Sequence, residues 1–193
     1  MRSLAVAILL TLAAPAAAQQ VEIELSSQPD GTRSLAHEIV VPASADRVWA
    51  ALTTAEGWRT WAVPLAREVR GSPDRFETGY DPSAPPGAPS TIEQQWIERL
   101  EPHTAAFRTT RTPRGFPQAD AFVRVVSRFT LTPLGEDVTR VRLEGSGYPA
   151  GQAGDVLIAF FRDGNHSTLQ QLYARFTTGP IDWSAQRSMQ EER

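Results

Sequence analysis

Between residues 67 and 148 the hydrophobic period is close to two, and no other feature limits the fold of this chain as sharply. Strand-like runs cover 67–70, 75–80, 92–100, 104–111, 121–133 and 138–148. Their separators, GSPD, DPSAPPGAPS, EPH, TPRGFPQ and PLGED, are short and rich in turn residues. A parallel crossover takes a dozen or more residues, so runs joined this closely return antiparallel, as a meander. In the last two runs Ser127, Phe129 and Leu131 alternate with Arg128 and Thr130, and Val141, Leu143 and Gly145 with Arg140, Arg142 and Glu144. One face of the sheet is therefore apolar. The arginines mark a solvated outer face with cross-strand partners.

An apolar sheet face needs a cover. After GYPAGQAG comes the longest helical pattern, about 155–177, ended by Gly179-Pro180. Leu157, Phe161, Gly164, Thr168 and Leu172 fall on one stripe of it. Upstream, 21–25 and 35–41 read as a strand hairpin around Pro29-Asp30-Gly31. Ser44 is placed to cap a helix in SADRVWAALTT, and AEGWRTWAVP reads as a second short helix closed by Pro64. The expected fold class is α+β: a curved antiparallel sheet wrapped around a long C-terminal helix, with two short helices after the first core strand. The loop at 81–90 is either a mobile flap or an ordered cap beside the sheet.

The N-terminus reads MRSLAVAILLTLAAPAAAQQ: Arg2, an apolar run from Leu4 to about Ala14, then AAA before Gln19. That pattern predicts a signal peptide cut after Ala18 and a mature protein in the periplasm or beyond. The run is shorter than the roughly 20 apolar residues that a membrane helix needs. The chain thus divides into a signal peptide (1–18), one domain (19–183) and a polar tail (184–193), with no transmembrane segment expected in the mature chain. A formal net charge of -3 disfavours a nucleic-acid partner.

Two absences exclude whole classes of chemistry. With no cysteine there is no thiol nucleophile or disulfide. All 19 cationic side chains are arginine, so Schiff-base chemistry has no amine and the phosphate loop no lysine. No G-x-S-x-G elbow occurs, and His37, His103 and His166 lack a second ligand at metal spacing. No metal, cofactor or catalytic residue is expected from these patterns.

Taken together, IVVPASADRVWAALTTAEGWRTWAVP resembles the opening of the SRPBCC (START-like, helix-grip) superfamily, with its strand, its V-W helix and its G-x-x-x-W segment. STIEQQWIERLEPH, TRVRLEGSGYPAG and FFRDGNHSTLQQLYARFTTGPIDW resemble the polyketide cyclase/dehydrase and ATPase-activator-homologue branch. The resemblance runs from about residue 35 to 183. It implies the helix-grip fold and a cavity for an apolar or amphipathic small molecule, used within the superfamily for transport, sensing, cyclisation or hydrolysis. The export signal argues against assistance to an ATPase.

Candidate ligand-binding residues are those whose faces meet between sheet and helix. Trp61, Trp96, Phe129, Leu157, Phe161 and Leu172 supply apolar walls. Gly164 and Thr168 are small where tight packing would call for large side chains. A mid-helix glycine costs about 1 kcal/mol relative to alanine, so close approach, a kink or vacated volume should explain it. Asn165 either orients a ligand or bonds a strand carbonyl and pins the kink. His37 shares the parity of Leu35, Ile39 and Val41, so it points inward, as a satisfied core histidine or as a general base. His166 should face solvent and His103 a turn, while Trp49 and Phe160 are expected in ordinary core. The expected function is that of an exported protein holding a lipid-like or aromatic ligand. The alternatives are a cavity enzyme of cyclase, dehydratase or hydrolase type, or a cell-envelope interaction module.

Overall fold

The structure is a computed structural model in which residues 20–185 are described. The expected signal peptide and most of the polar tail lie outside them. Strands β1 (Glu22–Ser27) and β2 (Arg33–Val41) lead into helices α1 (Ala45–Thr53) and α2 (Ala55–Arg59). The meander follows as β3 (Leu65–Val69), β4 (Ser72–Gly79), β5 (Ile92–Leu100), β6 (Thr104–Arg111), a one-turn helix α3 (Ala119–Phe122), β7 (Val126–Gly135) and β8 (Val138–Tyr148). Helix α4 (Gln152–Thr177) closes the domain. All eight strands form one antiparallel sheet in the order β1-β2-β8-β7-β6-β5-β4-β3. This is the α+β helix-grip architecture expected from the hydrophobic period.

The outer face carries the arginines and their partners, including Arg142 with Glu24 at 2.8 Å, Arg140 with Glu38 at 3.0 Å, Arg75 with Glu93 at 3.0 Å, and Arg128 with Glu98. One expected strand is shorter than its pattern. Residues 121–125 are not strand; α3 and the turn after it occupy them, with Phe122 N donating to Gln118 O and Val125 N to Phe122 O. Neighbouring Ala121 and Phe122 are both buried, in a cluster with Leu35, Tyr148 and Leu157. A strand would send them to opposite faces; a helical turn can bury both.

The corner between α1 and α2 is built on a close approach. A Cβ at Gly57 would lie 2.2 Å from Ala50 O and 2.7 Å from the Ala51 Cα, so only glycine fits without moving backbone. The final carbonyls of α1 have no helical partners, and side chains of the corner take them up. Thr54 Oγ1 donates to Ala50 O at 2.8 Å, Trp61 Nε1 to Ala51 O at 2.9 Å and Trp58 Nε1 to Leu52 O at 2.5 Å. These bonds orient both indoles towards the sheet.

Helix α4 is held at its two ends. Near its N-terminus Leu157 and Ile158 join the cluster of Leu35, Phe122 and Tyr148, and Arg33 bonds Asp155 at 2.7 Å. Towards its C-terminus Leu169 and Leu172 join the larger cluster of Val48, Leu52, Trp61, Phe107 and Phe129. Beyond the helix, Trp183 Nε1 donates to Arg59 O at 2.6 Å and Ile181 N to Thr60 O at 2.9 Å. From Ile158 to Leu169 is about 16 Å of helix at 1.5 Å per residue. Within that span His37, fully buried on β2, donates from Nε2 to Arg162 O at 2.9 Å. The bond fixes the tautomer and leaves Nδ1 buried without a partner.

Burial, and then the nearby charges of His166 and Arg162, hold His37 below the usual histidine range against the opposing effect of its hydrogen bond. The unfolded chain takes up that proton near pH 6.5. Stability is therefore complete above that pH and declines as pH falls through the window beneath it. His37→Gln keeps an amide donor for Arg162 O and removes the titration. We expect its urea midpoint to be flatter than that of the wild type between about pH 7 and pH 5.5. A paired substitution tests the corner: Gly57→Ala should lose about 2 kcal/mol, while Gly164→Ala, whose new Cβ meets nothing within 4 Å, should gain up to about 1 kcal/mol.

Candidate functional site

The span between the two anchors of α4 roofs a cavity of about 510 Å³. Phe161, Gly164, Asn165 and Thr168 line it from the helix, and Phe160, Ser167 and Gln171 flank them. The floor is the inward face of the sheet: Thr78 on β4, Ile92 and Gln94 on β5, Phe107 and Thr109 on β6, Ser127 and Phe129 on β7, and Leu143 on β8. Trp58, Trp61, Ala62 and Val63 wall one side; Phe116 and Phe122 wall another. Gly164 therefore marks vacated volume rather than close approach.

Six of the ten candidate residues lie on this lining: Trp61, Phe129, Phe161, Gly164, Asn165 and Thr168. Four do not. Leu157 and Leu172 are the fully buried anchors at either end of the stripe. Trp96 stacks on Phe76, ring centroids 4.6 Å apart, outside the lining. His37 is engaged by Arg162 O and is absent from the lining, so it has no reach to a molecule in the cavity. The pinning contact on α4 comes from His37; no hydrogen bond joins the Asn165 side chain to a strand carbonyl among the described residues. Thr168 spends its hydroxyl on Gly164 O at 2.8 Å.

Phe160 corrects the expectation of ordinary core. It is 49% exposed and packs edge-on to Phe116 and Phe161 at the rim, because the loop carrying Phe116 reaches α4 there. Trp49 is core as read. His166 is exposed. The residues that pattern reading missed are the polar floor, Thr78, Gln94 and Thr109. Their signal was parity, since Gln94 alternates in step with Ile92 and Trp96, and Thr109 with Phe107.

No Asp, Glu, Arg or His lines the cavity among the described residues; its ionisable side chains are the phenols of Tyr80 and Tyr148. Burial pushes the Tyr148 phenol up, so it stays neutral at physiological pH. Nor do three His, Cys, Asp or Glu side chains converge as a metal site among the described residues.

Charge instead gathers beneath the loop at 81–90, whose last residue Ser90 and preceding Tyr80 both reach the lining. Glu77 is 3% exposed and meets Arg67 at 2.7 Å, Arg111 at 2.8 Å, Gly87 N at 2.9 Å and the Thr91 hydroxyl. Arg67 and Arg111 also donate to Ala84 O and Ala88 O, both at 2.9 Å. The loop is thus an ordered cap. Burial opposes the charge of Glu77, but hydrogen bonds from Thr91, Arg67 and Gly87 outweigh it and hold the carboxyl below its usual range. Its contribution is present above about pH 4.5 and is lost as pH falls below that value. Glu77→Gln leaves two arginines without their counter-charge. A urea melt at pH 7 should show a loss of roughly 3 kcal/mol, the low end for a broken buried pair, because the arginine side chains keep 26% and 32% exposure.

Residues 32–177 match the family described as polyketide cyclase / dehydrase and lipid transport. No curated protein matches the chain in sequence. Among solved structures it is similar to protein MLL2253 from Mesorhizobium loti, at 17% identity and a TM-score of 0.59, covering 77% of this chain and 100% of that one. The Aha1 dimer from Colwellia psychrerythraea aligns at 16% identity and a TM-score of 0.58, over 76% and 97%. CalU16 from Micromonospora echinospora aligns at 18% identity and a TM-score of 0.59, over 86% and 79%. At these identities the structural likeness speaks for the fold alone, while the sequence match spans most of the chain: the protein belongs to the polyketide cyclase/dehydrase and lipid transport family, within the SRPBCC superfamily.

Proposed function

We propose that this protein binds a hydrophobic or amphipathic small molecule, lipid-like or aromatic, in the cavity under α4 and does so without transforming it. The observation that carries the reading is the cavity of about 510 Å³ and the way the chain keeps it open at Gly164. The space is partly open to solvent, and larger side chains in place of Gly164 and Thr168 would bury more apolar surface at about 25 cal/mol per Å². Stability alone does not favour such a space, and binding does. Its size and its largely apolar, aromatic walls match small-molecule sites. Acid–base catalysis needs a titratable group within reach of the substrate, and the described lining offers only two phenols.

We place this function outside the cytoplasm, on the leader pattern of Arg2, the apolar run and the small residues before Gln19. N-terminal sequencing of the secreted or periplasmic protein should begin at Gln19. Native mass spectrometry of that material should show a co-purified small molecule, and neutral aromatic and lipid probes should change the fluorescence of Trp58 and Trp61. Gly164→Phe projects a ring into the open space beside the helix. It should weaken probe binding at least tenfold while the melting temperature holds or rises. Unchanged binding by a folded Gly164→Phe protein would place the ligand elsewhere.

A further inference from the structure

Eight polar or charged residues are buried in the described domain: Ser34, His37, Glu77, Thr78, Thr91, Gln94, Thr109 and Thr139. Most have at least one protein partner. Ser34 Oγ accepts from Gln28 at 3.1 Å, His37 donates to Arg162 O, and Thr139 Oγ1 donates to Ala43 O at 2.8 Å. Thr91 Oγ1 donates to Glu77 and lies 2.8 Å from Ala88 O, and Glu77 is also met by Gly87 N and two arginines. The exceptions are Thr78, Gln94 and Thr109, 3%, 8% and 3% exposed, whose side chains take part in no hydrogen bond with the described protein. The carboxamide oxygen of Gln94 is enclosed by protein and unpartnered, which leaves the amide nitrogen as the end of that side chain open to the cavity.

These three are not scattered. Thr109 stands opposite Gln94 across the β5–β6 pair, and Thr78 lies diagonal to Gln94 through its pairing with Ile92. Opposed residues have Cβ atoms about 5 Å apart and diagonal ones about 7–8 Å. A register shift at Glu93/Gln94 marks a bulge in β5–β6 at this place, a device that re-aims side chains beside binding sites. All three residues lie on the cavity lining. A fold that bonds the hydroxyls of Ser34, Thr91 and Thr139 thus leaves one contiguous polar stripe of the sheet unmet, on the floor of a largely apolar space. Desolvated polar groups are costly until something hydrogen-bonds them.

We propose that the ligand is a neutral, aromatic, hydroxyl-bearing molecule whose hydroxyl is bonded by Gln94 between Thr78 and Thr109. This rests on the small-molecule reading and narrows it. A hydroxyl both donates and accepts, so it can accept from the Gln94 amide N–H and donate to either threonine. A carboxylate or ammonium in the same place would lose its water with no counter-charge on the lining, and an unpaired buried charge is disfavoured far more than an unpaired hydroxyl. Aromatic walls from Trp58, Trp61, Phe107, Phe129 and Phe161 suit a flat ring system.

Four probes of one shape test it: naphthalene, 2-naphthol, 2-naphthoate and 2-naphthylmethylammonium, titrated by calorimetry at pH 7.5 into wild-type protein, Gln94→Met and Thr109→Val. We expect 2-naphthol to bind about tenfold tighter than naphthalene, and both ionic probes at least tenfold weaker than 2-naphthol. In Gln94→Met, and to a smaller degree in Thr109→Val, the advantage of 2-naphthol over naphthalene should collapse while naphthalene binds as before. That internal ratio separates lost recognition from lost folding. Naphthoate binding as tightly as naphthol, or an unchanged ratio in both variants, would overturn the neutral-hydroxyl assignment and leave the small-molecule reading standing. If all four probes, naphthalene included, fail to bind, the small-molecule reading fails and this inference falls with it.

Discussion

Everything distinctive about this domain depends on how α4 is held against the sheet. Leu157 and Ile158 bury one end, Leu169 and Leu172 bury the other, and between them His37 binds the carbonyl of Arg162. A helix is stiff, and a twisted sheet is concave where it curves around one. Anchoring the helix at two places roughly three turns apart therefore leaves a gap over the concave middle unless large side chains fill it. Gly164 and Thr168 decline to fill it, and the gap is the cavity.

The surrounding structure keeps that gap in shape. Trp58 and Trp61 wall the cavity because their indole N–H groups are spent on the last carbonyls of α1, and because Gly57 lets α2 press against α1. The loop at 81–90 is tied down by Glu77, whose two arginine partners donate to its carbonyls. In both places a buried polar group is fully satisfied and the element bearing it becomes rigid. The polar stripe of Thr78, Gln94 and Thr109 is the reverse case, and for that reason it reads as part of a site rather than of the scaffold.

Several of these features were legible in residues. The inward parity of His37 was, because β2 alternates cleanly, but its role depended on the height at which α4 crosses β2. The small residues at Gly164 and Thr168 announced missing volume. The same helical stripe also included Leu157 and Leu172, which belong to the anchors, since periodicity places residues on a face and not along the depth of a groove. Residues 121–125 were misread because Val123 and Val125 alternate like a strand, while the burial of adjacent Ala121 and Phe122 comes from contacts with α4 and β8. Phe160 was misread for a similar reason: its neighbour at the rim, Phe116, arrives from a loop of no regular period.

By itself the sequence determined the antiparallel sheet, the covering helix, the two short helices and the family, because alternation, turn chemistry and helical spacing are local and strand separators this short admit only a meander. Tertiary structure alone decided which inward residues are core and which face open space, and which buried polar groups lack partners. Those are questions of distance between segments far apart in the chain. Gln94 and Thr109 look no different in a strand pattern from Thr139, and only the packed domain shows that Thr139 has found Ala43 O while the side chains of the other two have no hydrogen bond among the described residues.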